Sequence, residues 1–472
     1  MSFPRTFLVV SCVVISLHGP DTCRQTAFAQ NQNNNQGNNN QNNQNNQNQP
    51  AGGILIDANG LVKTIFTRDK SKRLRKKRIT AAMQKLSEEM KESSTMRKVS
   101  LVQLEAACQD ALQNREELSD ELKYLAGINR LDFLFVDPEN KDIVIAGPAE
   151  PFVPDALGRM VGVYSGRPPL RLDDLVVALR VAERGNTVGC SIDPVPERLS
   201  RLQNFIRKNS SPASVSVAKR RYHTMARVLG NQTVNLWGIP PESHFAQALT
   251  EADLRMKRLS MGLEKVKVRG FRSYLSMITP TGNSMQRWWF VPFYEDIQIS
   301  EDENAYQFLG QRAKLMAQEE VVDGSGFRSD ATVTRQSTRR FARLFTQKFP
   351  AMVQLIPAFA ELQNLIDLTV MAALLKEKGL AEKVGWQKSF FLDVEKMPIE
   401  AGEIPREVLS TANYKMANRR MVIGLVGGGV TINPRQTVRQ MKFRLSAGNR
   451  LNQLQKDIAA EKPPAAHAWW RN

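Results

Sequence analysis

The chain has 472 residues, of which 42% are hydrophobic and 24% are charged, so it can bury a sizeable core. This composition excludes a chain that is disordered throughout. Its 65 Lys and Arg residues outnumber 47 Asp and Glu residues, which gives a formal net charge of +18. The balance favours anionic partners such as nucleic acid, acidic glycan, phosphate-bearing envelope polymer or lipid head groups, and a solvated basic surface is the alternative.

The first 29 residues have the three parts of a cleavable signal peptide. Arg5 supplies the positive charge, residues 7–17 form an apolar run, and residues 27–29 (AFA) form a small-residue cleavage site before Gln30. The run is about half of the ~20 residues that a bilayer span needs. A buried N-terminal helix or strand is the alternative interpretation.

Export is therefore expected, to the periplasm, the cell envelope or the medium, with no membrane span after removal of the signal. Export argues against nucleic acid as the partner of the basic chain. An anionic envelope polymer or another envelope protein remains as the expected partner.

Two segments of unusual composition follow the signal. Residues 30–53 are almost entirely Asn and Gln, so no apolar group offsets the entropy of ordering, and we predict a disordered linker. Residues 54–98 are predicted to form a basic segment with a short hairpin and a helix. Without aromatic residues for base stacking, its charge run is either a solvated segment or a furrow for anionic polymer. The binding candidates in this run are Arg73, Arg75, Lys76, Lys77 and Arg78.

Alternating helical and strand patterns predict an α+β fold with two lobes. We expect an N-terminal lobe over residues 99–210, a C-terminal lobe over residues 215–445 and a loose tail over residues 446–472. The apolar residues 357–376 include too many polar groups for a bilayer span, and they predict a central buried helix.

Cys108 and Cys190 are the two cysteines that follow the signal. In an oxidising compartment they can form one disulfide, and a pair of buried thiols is the alternative. No Cys-x-x-Cys pair or cysteine–histidine cluster is present, so we predict no metal site and no cofactor.

The segment around residue 240 holds the candidates for catalysis. His223 and His244 flank it, and Glu251 and Asp253 follow on a predicted helix. One interpretation is a catalytic site in which His244 works with Glu251 or Asp253. The other is a capped, salt-bridged surface helix that performs no chemistry.

Aromatic and basic residues give further binding candidates, namely Trp237, Arg255, Trp288 and Trp289. Successive residues of a strand point to opposite faces, so we expect one of Trp288 and Trp289 in the core and at most one in a cleft. Residues 424–429 (GLVGGG) fit neither glycine-rich phosphate loop and predict a hairpin turn.

Several distinctive segments span most of the folded chain. They are residues 135–139 (FVDPE), 145–148 (IAGP), 189–194 (GCSIDP), 238–246 (GIPPESHFA), 252–257 (ADLRMK), 287–290 (RWWF) and 361–368 (ELQNLIDL). Together they resemble the signature of an uncharacterised family of exported proteins from planctomycete-type bacteria. Because that family is known only as a domain of unknown function, the resemblance implies no catalytic residue.

Two hypotheses for function follow from these observations. The first is a non-enzymatic envelope or secreted protein, binding or structural, whose basic surface takes an anionic polymer or a protein partner. The second is a hydrolase of envelope material with a histidine–carboxylate site around His244.

Overall fold

A computed structural model describes residues 15–16, 54–56, 62–64, 73–211, 213–278, 285–322, 328–402, 404–417, 420–461 and 469–472. The predicted signal peptide, residues 1–29, lies outside these residues except for Ile15–Ser16, and the predicted linker, residues 30–53, lies outside them completely. The side chain of Arg75 is also outside the described part.

The fold is α+β, as predicted from the sequence. The helices are α1 (Arg73–Met83), α2 (Leu101–Gln113), α3 (Asp120–Lys123), α4 (Leu172–Arg184), α5 (Pro196–Lys208), α6 (Val215–Leu229), α7 (His244–Ser260), α8 (Tyr274–Met277), α9 (Gln336–Val353), α10 (Pro357–Glu377), α11 (Leu380–Lys383), α12 (Ser389–Leu392), α13 (Pro434–Gln440) and α14 (Arg450–Ala460).

The strands are β1 (Ile15–Ser16), β2 (Ile54–Ile56), β3 (Val62–Thr64), β4 (Ser94–Ser100), β5 (Phe133–Asp137), β6 (Asp142–Ala149), β7 (Phe152–Pro154), β8 (Met160–Gly162), β9 (Val188–Pro194), β10 (Asn231–Trp237), β11 (Met285–Phe293), β12 (Ile297–Ile299), β13 (Ala305–Gln307), β14 (Arg312–Val322), β15 (Arg328–Asp330), β16 (Glu407–Leu409), β17 (Ala412–Ala417), β18 (Arg420–Ile432), β19 (Phe443–Leu445) and β20 (Trp470–Arg471).

Two large sheets organise these strands. The larger has the order β15-β14-β11-β18-β9-β10-β16, with β1 and β17 also paired to β18. The other has the order β19-β12-β13-β5-β6-β4-β20. Each sheet takes strands from both sides of residues 210–215, because β9 pairs with β10 and β5 pairs with β13. The sheets therefore do not divide where the two lobes were predicted to meet.

Helix α10 is the central helix that its apolar sequence predicts. It is long and apolar enough to cross a membrane, but the whole of its apolar window is buried inside the protein. Apolar side chains on all of its faces pack into the largest hydrophobic cluster, which includes residues from Leu86 to Trp470. Two of its carboxylates have cationic partners: Glu361 contacts Arg159 and His244, and Asp367 contacts Arg312.

The glycine-rich segment is not a hairpin turn, because it runs through the middle of the 13-residue strand β18. Gly428 has φ 139°, and a Cβ there would lie 1.6 Å from the backbone oxygen of Trp288. A Cβ at Gly429 would lie 1.9 Å from the backbone oxygen of Cys190. The glycines are thus explained by close approach of the neighbouring strands β11 and β9, on either side of β18.

The C-terminal residues that the structure describes are not a loose tail. Helix α14 buries Leu451 and Ile458 against the smaller sheet. Trp470 of β20 pairs with Val99 of β4, and the Arg97 guanidinium lies 4.8 Å from the centre of the Trp470 ring. The tail was predicted to be loose because its two anchors, an amphipathic face and a two-residue strand, are short.

Cys108 of α2 and Cys190 of β9 are both free and buried. Burial raises the pKa of the Cys108 thiol to about 12. Of the two interpretations that the sequence allows, the structure has buried thiols.

Candidate functional site

Helix α7 places His244 in its first turn. The Ser243 side chain caps the helix by accepting a hydrogen bond from the backbone N–H of Ala246. His244 Nδ1 lies 2.9 Å from Oδ2 of Asp174, which belongs to the first turn of α4. The carboxylate thus orients the imidazole ring, and it directs Nε2 towards α10.

A chain of alternating charges continues from His244 into the interior. Its Nε2 lies 3.6 Å from Oε1 of Glu361, which also contacts Nε of Arg159 at 3.1 Å. Arg159 forms a second ion pair with Glu251. Glu251 in turn contacts Arg255 at 3.3 Å. These contacts join α4, α7 and α10 to the turn of the β7–β8 hairpin.

The chain of alternating charges continues from Arg255 to a loop that follows α7. Arg255 Nη1 lies 2.7 Å from Glu264 Oε1, and its side chain is 2% exposed. Arg255, a predicted binding residue, is therefore enclosed between two carboxylates and presents no charge to a ligand. The prediction is wrong because the carboxylates that surround it could be recognised only in the folded chain.

Electrostatics favour the charged forms of His244 and Glu361. Burial disfavours the cationic form of His244, but Asp174 outweighs that cost and raises the pKa of His244 to about 9. Burial also opposes ionisation of Glu361, while Arg159 and His244 hold the pKa of its carboxyl below the usual value. At neutral pH His244 is therefore a cation that can donate hydrogen bonds, and it is not an available general base.

A cavity of 190 Å³ lies beside this network. The loop that carries Arg159 forms one wall, and the segment that leads into α4, together with α7 and α10, supplies others. The charged and hydroxyl-bearing side chains that line it are Tyr124, Arg159, Arg171, His244, Glu251 and Glu361.

The structure unites His244 with Glu251 but not with Asp253. Residues seven apart on a helix are turned by about 20° from each other, whereas residues nine apart lie about 180° apart. Asp253 therefore faces the larger sheet, where Lys257 Nζ lies 2.8 Å from its Oδ2. The predicted pairing of His244 with Asp253 is wrong, and Asp174 and Glu361 take that place.

Two other candidates lie away from the cavity. His223 is exposed on α6, where its ring lies 5.4 Å from that of Tyr222. Trp237 is half-buried at the end of β10, and its ring covers Gly189, where a Cβ would lie 2.5 Å from Trp237 Cζ2. Neither residue lines the cavity of His244.

Trp288 and Trp289 point to opposite faces of β11, as strand alternation predicts. Trp288 is fully buried, and its Nε1 donates to the backbone oxygen of Thr338 at 3.3 Å. Trp289 is half-buried, with the Arg287 guanidinium 5.1 Å from its ring centre. Trp288 is therefore a core residue, and Trp289 alone of the pair can contact a ligand.

The predicted basic run lies partly on α1. Arg73, Lys76 and Lys77 are exposed there, and Arg78 is half-buried. The three exposed side chains form a solvated basic surface, which was one of the two interpretations of the run.

A second basic surface, on the hairpin of α5 and α6, was not predicted from the sequence. A groove of 730 Å³ runs along it, and we call it the α5–α6 groove. Its lining contains four cations and no carboxylate. The lining residues are Arg198, Arg201, Asn204, Phe205, Lys208, Arg227, Val228, Gly230 and Asn231.

Local structure holds one cation of the groove in place. Arg198 Nη1 donates to the backbone oxygen of Asn231 at 3.1 Å. Gly230 has φ 60°, and a Cβ there would lie 2.6 Å from the same Nη1. Glycine is favoured at this position by its backbone conformation, and a larger residue would also displace the guanidinium.

A signal for this surface exists in the sequence. No acidic residue occurs between Glu197 and Glu242, although residues 198–241 contain eight Lys and Arg residues. The run is less dense than the one near residue 75, and only the antiparallel packing of α5 and α6 concentrates its charges on one groove.

In the part of the chain that the structure describes, no group of three or more His, Cys, Asp or Glu side chains is placed to hold a metal ion. The absence of a metal and of a cofactor stays a prediction from the sequence.

Comparison with known protein families gives a match over part of the chain. Residues 190–274 match a family described as a protein of unknown function, DUF1598. No match was found among curated proteins or among solved structures. The matched residues include α5, α6 and α7, and therefore the groove and His244. Over this segment the chain is similar to an uncharacterised family of unknown function, as its sequence phrases suggested, while planctomycete origin and export stay predictions.

Proposed function

We propose that this protein is an exported binding protein that takes a linear anionic polymer in the α5–α6 groove. The observation that carries the proposal is the charge of that groove, which is lined by Arg198, Arg201, Lys208 and Arg227 without a carboxylate. No ion pair occupies these four side chains in the described residues. They are therefore available to an anion from outside.

The spacing of the cations along α5 suits a polymer better than a single small anion. Arg198, Arg201 and Lys208 are three and seven positions apart, so they recur on one face of the helix. At ~1.5 Å per residue the row extends about 15 Å. Arg227 lies on α6 and lines the same groove. Guanidinium groups bind carboxylate and phosphate through paired hydrogen bonds, so either repeating anion can be recognised.

Export and the envelope location are part of this proposal and rest on the signal-peptide pattern of residues 1–29. Expression in a bacterial host followed by N-terminal sequencing of the processed protein tests them. We expect Gln30 as the first residue. Retention of Met1 in the cytoplasmic fraction would refute export.

The hydrolase hypothesis receives less support from the structure. His244 would be its base, but the ring is held between Asp174 and Glu361 and carries a proton at neutral pH. A general base needs a free nitrogen near the operating pH. We therefore favour binding over hydrolysis.

Binding of polygalacturonate and of polyphosphate to the purified protein tests the groove. The double variant Arg201→Glu/Arg227→Glu reverses two charges in it. We expect the affinity to fall by at least about tenfold, which is about 1.4 kcal/mol. Binding of the wild type should also weaken as salt is raised, because the Debye length shortens from about 10 Å at 0.1 M to about 3 Å at 1 M.

The matched control is Arg339→Glu/Arg343→Glu, which makes the same change of charge at exposed positions of α9. We expect this control to lose less than about half the binding free energy that the groove variant loses, through long-range electrostatics alone. Equal losses in the two variants would show that only the net charge matters. That result, or binding that is insensitive to salt, would refute the groove as the site.

A further inference from the structure

A second site, independent of the groove, lies in the cavity of His244. We propose that this cavity binds one small oxyanion, a phosphate or carboxylate group, through Arg171 and His244. The cavity is bordered by the β7–β8 hairpin, by the segment that leads into α4, and by α7 and α10, and its lining includes three cations and two carboxylates.

The hydrogen-bonding capacity of Arg171 is incompletely used. Its Nη2 lies 3.5 Å from Glu400 Oε2 and 3.6 Å from Asp173 Oδ2, at or beyond the limit of a hydrogen bond. Its Nε is buried and has no hydrogen-bond partner. The guanidinium stacks 5.4 Å from the ring centre of Tyr124, so it is held at the cavity wall. Because these Nη2 contacts are long, an anion in the cavity would give the guanidinium a closer, charge-assisted partner.

His244 offers a second donor. Its Nδ1 is committed to Asp174, and its Nε2 is 3.6 Å from Glu361, too far for a good hydrogen bond. His244 lines the cavity, and the Nε2–H group of its cationic imidazole can donate to a ligand there in place of Glu361. Arg159 is not available to a ligand in the same way, because it already forms ion pairs with Glu251 and Glu361.

Stability alone does not account for so many charges around one cavity. Replacing buried ion pairs by well-packed apolar side chains is often neutral or stabilising. Clusters of charged groups with perturbed protonation that border a cavity are candidates for ligand sites. The charged lining of this cavity is therefore consistent with a site that has kept its cations for a ligand.

The size of the cavity sets the class of ligand. Its 190 Å³ corresponds to about six water molecules at roughly 30 Å³ each. A drug-sized ligand needs at least about 300 Å³. Inorganic phosphate, a small carboxylic acid or the anionic end of a larger molecule fits this volume, whereas the middle of a polymer chain does not.

Calorimetric titration with inorganic phosphate and with acetate tests the proposal. The titrated protein carries Arg201→Glu/Arg227→Glu, so that the α5–α6 groove does not contribute. We expect one site per chain with a Kd of about 1 mM or tighter for at least one of the two anions. Adding Arg171→Gln should weaken this binding by at least about tenfold.

The matched control is Lys123→Gln. Lys123 Nζ contacts the same Glu400 at 3.0 Å but does not line the cavity, so its loss should leave anion binding within about twofold, or about 0.4 kcal/mol. Equal weakening by both variants, or no saturable binding of either anion, would overturn the proposal.

A measurement on the wild-type protein avoids any effect of a variant on folding. Crystals soaked in selenate give an anomalous signal at a bound oxyanion. Selenate within hydrogen-bond distance of Arg171 in the cavity is the expected result. Selenate only in the α5–α6 groove, or nowhere on the protein, would also overturn the proposal.

Discussion

The ion pair on the sheet-facing side of α7 gives a stringent test of the fold. Asp253 and Lys257 are both fully buried. Lys257 Nζ donates to Asp253 Oδ2 at 2.8 Å and to the backbone oxygens of Ile192 and Gly428 at 2.7 Å and 3.2 Å. All three donors of the ammonium group are thus used, and they tie α7 to β9 and β18.

Asp253→Leu leaves the ammonium group of Lys257 buried without its counter-charge. We expect it to lower the free energy of unfolding by about 3–5 kcal/mol, the usual cost of breaking a buried pair. Lys257→Met should cost less, because Asp253 can take up a proton. Burial already raises the pKa of that carboxyl to about 6, even beside Lys257.

The double variant Asp253→Leu/Lys257→Met replaces both charges by apolar side chains of similar size. We expect it to recover most of the loss and to lie within about 1 kcal/mol of the wild type. Urea unfolding followed by far-ultraviolet circular dichroism at neutral pH measures the three differences. Additive losses in the double variant, or a loss below about 1 kcal/mol for Asp253→Leu, would refute a dry, coupled pair.

Three further predictions concern other parts of the fold. Folding raises the pKa of His244 from 6.5 to about 9. The stability that its protonation contributes is therefore complete below pH 6.5 and is lost as the pH rises to 9. The melting temperature of His244→Gln should lack this dependence on pH. Gly428→Ala should lower the free energy of unfolding by about 3 kcal/mol or more, because the added Cβ would overlap the backbone of β11. Gly402→Ala is the control in the same denaturant titration, because a Cβ has room there. Trp470→Ala should cost about 3–5 kcal/mol, and an unchanged unfolding midpoint would show that the C-terminal strand does not hold the smaller sheet.

The binding residues were only partly predictable, because the density of basic residues along the sequence does not show where their charges lie in the folded protein. The densest basic run, near residue 75, attracts attention in a linear sequence, but its described cations form a solvated helix surface. The α5–α6 groove arises where α5 and α6 pack together, and each of these helices carries basic residues at only moderate density. Arg255, in contrast, is basic and lies close to His244 in sequence, yet two carboxylates enclose it.

Local signals identified many elements correctly. The apolar run predicted the buried helix α10, and strand alternation separated Trp288 from Trp289. Each of these predictions needs only the geometry of one helix or one strand. The glycines of β18 were misjudged because their reason is the approach of neighbouring strands, which no local pattern records.

The sequence by itself determined the α+β class, the central helix and the strongly basic character of this protein, because these follow from composition and from periodicity within single elements. Only the tertiary structure decided which charges are paired and which are available to a ligand. His244 binds Asp174, 70 residues earlier in the chain, and meets Glu361 on a different helix. The partners of a buried charge are chosen by packing between distant elements, and packing is a property of the folded chain alone.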